Sequence, residues 1–337
     1  MELAPRTLRD PRTETLGELK AALLAGLSRP LPYEPKPEDP RPLMARLSPA
    51  VVEQIARASK LRGEAMRAVR QDNVDLAVQK LCAATAYMDA GGCRESQLVM
   101  DQFHVSMEAY IDYRCGHYAR ARAGMERAIR LVNALESDFG YDFLDGRRIH
   151  LACNLARVEG YRGNKALAAR LLTDLLHYVA GARHQWPYPE LGSPVEDVHT
   201  DPVEGSMVFD QVARELALLH VGEEEAMDVE AELDRLADAA GTDARLETLR
   251  EWVLLKRARA QEDSSAYWER AARFLRRGRI VPALWFAVVL DVAMLCREHE
   301  GPEAAGVLAR IEEQVGPWEY LEQIKYAIAW RKVAAAA

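Results

Sequence analysis

The sequence predicts an all-α chain organised as an α-solenoid of antiparallel helical hairpins. Three observations carry that expectation. From Ser48 onward, stretches of 12 to 20 residues rich in Ala, Leu, Arg and Glu recur between short breaks, with apolar residues three and four apart. No run of alternating β-branched residues interrupts them. The breaks also fall in register, each flanked by small residues where two helices would have to approach closely.

Taken in order, residues 1–47 form a proline-rich leader with one short helix. Nine of the sixteen prolines lie within the first 49 residues. Between them Thr15 and Glu18 stand at capping-box spacing ahead of Leu19, Leu23 and Leu24, which predicts a helix over Thr15 to Leu27. Arg29 to Pro42 is expected to be extended, because each proline lacks an N–H and restricts the residue before it. It reads as a strap or linker, or as a proline-rich ligand for an aromatic groove.

Residues 48–180 hold the repeating helices. In the first unit Leu61 and Ala65 precede the Asp72-Asn73 turn, and Ala77, Leu81 and Ala84 follow it. The second has Val105 and Ala109, the Gly116-His117-Tyr118 turn, then Ala121, Met125 and Ala128. In the third, Ala152, Leu155 and Ala156 precede Gly163-Asn164, and Ala168, Leu172 and Leu175 come after. Residues 181–205 carry Trp186, Tyr188 and four prolines, a long connection that marks an internal boundary or a functional loop. From 206 to 337 helices are predicted over Ser206 to Val221, Glu223 to Ala240, Ala244 to Gln261, Ser264 to Arg277, Pro282 to Glu298, Pro302 to Gln314 and Pro317 to Val333. They continue the solenoid.

Composition narrows the function. Hydrophobic residues make up 49% and charged residues 28%, which suits a folded soluble chain. A net charge of −8 works against broad attraction to nucleic acid or anionic lipid. The apolar stretch Ile280 to Cys296 contains Pro282 and Asp291 and falls short of the ~20 residues a membrane span needs, so it reads as a buried helix. Met1 to Leu27 has acids and prolines where a secretory leader has a basic start and an apolar run. Five cysteines, odd in number and without a CxxC pair, read as reduced thiols in a cytoplasm.

Chemistry-bearing motifs are sparse. The eight histidines form no HExxH or Glu-x-x-His pair, and no GxSxG, phosphate loop or dinucleotide fingerprint occurs, so neither metal nor cofactor is expected. His177, His184 and His199 lie near Glu196, Asp197 and Asp201, a grouping that one polar loop produces by chance. Arg270, Arg273, Arg276, Arg277 and Arg279 read as a solvated helix end, and Glu223-Glu224-Glu225 as an acidic helix start. Cys115 and Cys153 read as small, inert helix residues.

The segment from Tyr113 through Arg114, Cys115, Gly116, His117, Tyr118, Ala119 and Arg120 to Ala121, with Ala128, resembles the tetratricopeptide repeat. The resemblance covers residues 58–180 and departs from the family in two ways. Repeat starts at Ala58, Gln102 and Ile149 are 44 and 47 residues apart, against ~34 in the family. The family's opening Trp and closing Pro are also missing.

What the resemblance implies is a concave groove lined by the first helix of each pair. Projected onto this chain, the groove presents Arg62, Met66 and Arg70, then Phe103, Ser106, Tyr110, Tyr113 and Arg114, then His150, Asn154, Arg157 and Tyr161. Aromatic area beside Arg and Asn donors suits a peptide backbone with an acidic group. The expected partner-binding set is Arg62, Tyr110, Tyr113, Arg114, His150, Asn154, Arg157 and Tyr161. The alternative is an ordinary mixed helix surface with Tyr110 and Tyr113 packed inside.

The function expected from these features is a non-catalytic adaptor, chaperone or assembly factor that holds a peptide or helix of another protein. Self-association is left open. Rival readings are a helical enzyme or small-ligand sensor near the third hairpin and the 181–205 loop, or the interaction half of a signalling system.

Overall fold

Four turns among the described residues share one backbone hydrogen bond. The N–H of Asn73 bonds to the Ala68 carbonyl, His117 to Asp112, Asn164 to Glu159 and Asp263 to Ala258, each reaching back five residues at 2.8 to 3.0 Å. In each turn the donor immediately precedes the next helix, so the bond that closes one helix ends where another begins. In the first three turns a left-handed residue makes the reversal: Asp72, Gly116 and Gly163, with φ of 58°, 76° and 90°. Glycine suits that backbone, whereas Asp72 is there as one of the few side-chain types that tolerate it.

These turns belong to a computed structural model that describes residues 13–32, 45–88, 93–141, 143–181, 186–192, 202–220, 243–261, 263–298 and 302–315. Among the described residues every regular element is helical: α1 (Thr13–Leu27), α2 (Pro49–Arg70), α3 (Val74–Thr85), α4 (Arg94–Arg114), α5 (Tyr118–Phe139), α6 (Asp145–Tyr161), α7 (Lys165–Val179), a 3-10 turn (Pro189–Leu191), α8 (Pro202–His220), α9 (Ala244–Ala260), α10 (Ser264–Arg277), α11 (Pro282–Glu298) and α12 (Pro302–Val315). The all-α reading holds. The helices expected over Glu223 to Ala240 and Pro317 to Val333 lie outside the described residues, as do most of the proline-rich stretch and His184, Glu196, Asp197, His199 and Asp201.

The chain divides into two compact units, one made of residues 35–171 and 183–204, the other of residues 1–34, 172–182 and 205–337. In the first, α2 packs on α3 and α4 on α5, α2 and α3 both touch α4, and α6 lies on α5. The small positions read from sequence are all buried: Ala65, Ala77 and Ala84, then Ala109, Ala121 and Ala128, then Ala152, Ala156 and Ala168. Gly124 belongs with them, since a Cβ there would stand 2.7 Å from that of Ala109. Helix starts are capped as their residues dictate, with Asn73 accepting from the Leu76 N–H at 3.1 Å and Asp263 from Ala266 at 3.0 Å.

The other unit is discontinuous in sequence. Its core gathers Trp252, Trp268, Trp285, Tyr267, Phe274 and Phe286, with α9 on α10 and α11 on α12. Asp210 of α8 accepts from the Ala283 N–H at 2.7 Å and so caps α11 from outside its own segment. The N-terminal helix is part of this unit, because α1 packs on α10 and α12. Gly26 makes the approach possible, since a Cβ there would lie 2.3 Å from the Leu275 carbonyl oxygen. Arg29 donates to the Arg277 carbonyl at 2.7 Å, and Arg279 returns bonds to the carbonyls of Leu27 and Arg29. What reads in sequence as a leader with its own short helix thus places that helix in the C-terminal core.

Candidate functional site

The projected surface lies on α4 and α6. On α4, Tyr110, Tyr113 and Arg114 follow at helical spacing, and on α6 the residues His150, Asn154, Arg157 and Tyr161 are four, three and four apart, one face of a helix. The structure brings three of the expected tyrosines together and adds a fourth, Tyr118 at the start of α5. Ring centroids are 6.1 Å apart for Tyr110 and Tyr113, 6.2 Å for Tyr113 and Tyr118, 6.3 Å for Tyr118 and Tyr161, and 5.1 Å for Tyr113 and Tyr161, which meet edge to face. All four rings are half-buried. Neither prior picture is complete: Tyr110 packs on the core of Ala65, Val69, Met107 and Ile111 with one side, and keeps part of its surface in solvent.

Arg114 is held beside this cluster by the Asp72 carboxylate. Burial pulls its guanidinium down, yet the Tyr110 hydroxyl and Asp72 outweigh that and hold it above its ordinary value. Asn154 and His150 lie 3.1 Å apart, side chain to side chain. Next to Tyr118 and Tyr161 the hairpin turns leave an open cavity of about 540 Å³, lined also by Gly116, His117, Ala119, Arg120 and Arg162. Its charges are matched: Arg120 pairs with Asp112 at 2.9 Å and Arg162 with Glu159 at 3.0 Å.

Arg62 departs from the expectation. It was placed on the groove surface but is only 7% exposed, and its guanidinium lies over the Phe103 ring at 5.5 Å. The reason is α4, which packs on α2 and brings Phe103 over the arginine. Cys115 is half-buried just beyond the end of α4, so it is not the interior helix residue expected, whereas Cys153 is buried within α6.

Three polar groups that hold the site were not legible. Glu159, 1% exposed, accepts from Arg122 at 2.7 Å, Arg162 at 3.0 Å and the Asn164 amide at 2.6 Å, tying α5, α6 and the turn together. Arg148, also 1% exposed, pairs with Glu136 and with Asp145 at 2.5 Å, and donates to Asn133 at 2.8 Å. Asn133 in turn donates to the Leu191 carbonyl at 2.5 Å. This pins the Trp186 to Leu191 segment, whose Trp186, Tyr188 and Leu191 side chains are buried, with the Tyr188 hydroxyl 3.4 Å from the Ala152 carbonyl. In the connection read as an internal boundary or a functional loop, the segment from 186 to 192 is therefore packed down.

The arginines at the end of α10 are largely matched: Arg273 bonds Glu269 at 2.8 Å, Arg277 bonds Glu247 at 2.8 Å, and Arg279 is spent on the α1 carbonyls. Among the described residues no group of three metal-ligating side chains occurs and no helix is long and apolar enough to cross a membrane. Comparison with protein-family models, with curated proteins and with solved structures returns no match.

Proposed function

We propose that the hairpin unit is a non-catalytic module that holds a peptide or helix from another protein, in the manner of a tetratricopeptide-like solenoid, and that the chain acts as an adaptor or assembly factor in the cytoplasm. The observation that carries this reading is the tyrosine cluster. Four half-buried rings from α4, α5 and α6 form one connected cluster centred on Tyr113, with Arg114, Asn154 and Arg157 on the same helices. Rigid aromatic area beside guanidinium and amide donors is what interface anchors are made of. The repeated turn bond supports the stacked-hairpin part of the reading, since a repeat is expected to reuse one turn.

Affinity capture on immobilised chain tests it. Wild type is expected to retain one reproducible partner. Tyr113→Ala with Tyr161→Ala, and Arg114→Glu with Arg157→Glu, are expected to lose that partner while keeping the helical circular dichroism signal. Reversing Arg276 and Arg277 is the control. Loss in the control with retention in both site variants overturns the assignment. The open cavity beside Tyr118 and Tyr161 favours one rival, a small-ligand sensor; a stoichiometric small molecule released from the purified protein would select it.

A further inference from the structure

A second set of side chains draws on the first helices of the three hairpins, α2, α4 and α6. Arg62 comes from α2, Gln102 and Phe103 from α4, and Arg147 from α6. The two guanidinium carbons lie 5.5 Å and 4.8 Å from the centroid of the one Phe103 ring. Arg62 Nη2 donates to the Ser59 hydroxyl at 2.9 Å. Arg147 donates through Nε to Gln102 Oε1 at 2.9 Å and through Nη2 to the Ser106 hydroxyl at 2.8 Å.

The donors in this set outnumber the acceptors. Arg62 Nη1 and Gln102 Nε2 are both buried and neither has an acceptor, although Gln102 is fully buried and Arg62 nearly so. Buried N–H groups are seldom left this way. The charge is unmatched as well: the charged group acting on Arg62 is Arg147, of like sign, and burial followed by that repulsion pulls the Arg62 guanidinium down to about 10. Two other arginines of the same unit do have carboxylates, Arg148 two of them and Arg122 the buried Glu159. Two buried donors without an acceptor, one of them on a guanidinium that no carboxylate opposes, are what an anion completes. Phe103, Ser106 and Arg147 are half-buried, which leaves the set a side towards solvent.

We propose that Arg62, Gln102 and Arg147, stacked about Phe103, form a subsite for an oxyanion, the shared chemistry of a phosphate and a carboxylate group. Its oxygens accept from Arg62 Nη1 and Gln102 Nε2 while its charge offsets the Arg62 guanidinium. The subsite does not depend on the tyrosine surface, and a Tyr113→Ala, Tyr161→Ala chain retains it.

The test is calorimetric titration and thermal melting of the full chain with inorganic phosphate in one arm and acetate in the other, at fixed ionic strength. Saturable binding at one site per chain and a rise of a few degrees in melting temperature are expected in at least one arm, and the arm that responds names the anion. Arg62→Met and Gln102→Leu are expected to weaken binding tenfold or more. Arg62→Met alone is further expected to melt above wild type without anion, since it removes an unmatched buried charge; a purely structural arginine would give the opposite. Binding in neither arm, or undiminished binding in both variants, overturns the proposal. Should Arg62→Met not fold, Gln102→Leu and Arg147→Met carry the same reading.

Discussion

Arg62 and Arg148 are two buried arginines in one unit with opposite surroundings, and they should answer substitution in opposite ways. Arg148 neutralises Glu136 and Asp145, so Arg148→Met leaves two buried carboxylates facing each other. The expected loss is about 3 to 5 kcal/mol, read from urea denaturation. Arg62→Met removes a charge that nothing opposes, and a gain of about 1 to 4 kcal/mol is expected at neutral pH. The sign of its pH dependence follows from the direction of the shift. The guanidinium of the folded chain lies at about 10, below its ordinary value, so the folded state gives up that proton before the unfolded state does. The cost of Arg62 is therefore present at neutral pH and is relieved as pH rises through about 10. The advantage of Arg62→Met over wild type should narrow between pH 9 and 11. A constant gap would mean that the buried charge is not its source.

Helices were legible where local chemistry fixes them and obscure where distant packing does. Asp263 and Gly278 bracket α10, and its predicted and observed bounds, Ser264 to Arg277, coincide. The paired alanines could be read because a close helix approach limits residue size locally. Gly124 escaped notice, as a glycine inside a helix reads as a weakness rather than a contact. Replacing Ala121 by Phe is expected to cost about 1 to 3 kcal/mol or more, while Ala83→Phe on the exposed face of α3 should cost little; equal effects would show that the register is wrong. The site was half legible. Tyr110, Tyr113 and Tyr161 follow from projecting a helix face, whereas Tyr118 was assigned to the turn alone. Starting the third repeat at Ile149 left out Arg147 and Arg148, because α6 begins at Asp145 and that start has no side-chain cap to announce it. Arg62 was misjudged because solvent exposure depends on α4, which no pattern within α2 reveals.

At the scale of the molecule, the discontinuous unit depends on a contact that sequence periodicity does not record. Gly26 meets Leu275 and Trp285 across about three quarters of the chain's length. Gly26→Val is expected to force α1 off α10, and amide exchange should then rise across α1, α10 and α12 while α2 to α6 keep their protection. Uniform loss of protection in both units would show that they unfold as one body. Deleting residues 1–32 should give the same selective loss, since it uncovers the buried face that Leu16, Leu19, Ala22 and Leu23 of α1 fill.

The long reach of α1 also sets an order of events during synthesis. Arg29 and the Arg277 carbonyl it binds are 248 residues apart. At ribosomal rates of roughly 5 to 20 residues per second, about 10 to 50 s separate the emergence of the two. Through that interval every residue of α2 to α6 leaves the ribosome and can close its short-range hairpin contacts, while the leucines of α1 have no α10 to bury them. A nascent chain stalled before Ser264 should thus show protected hairpins and an N-terminal segment open to protease. A helix made before α2 to α6 is thus placed after them.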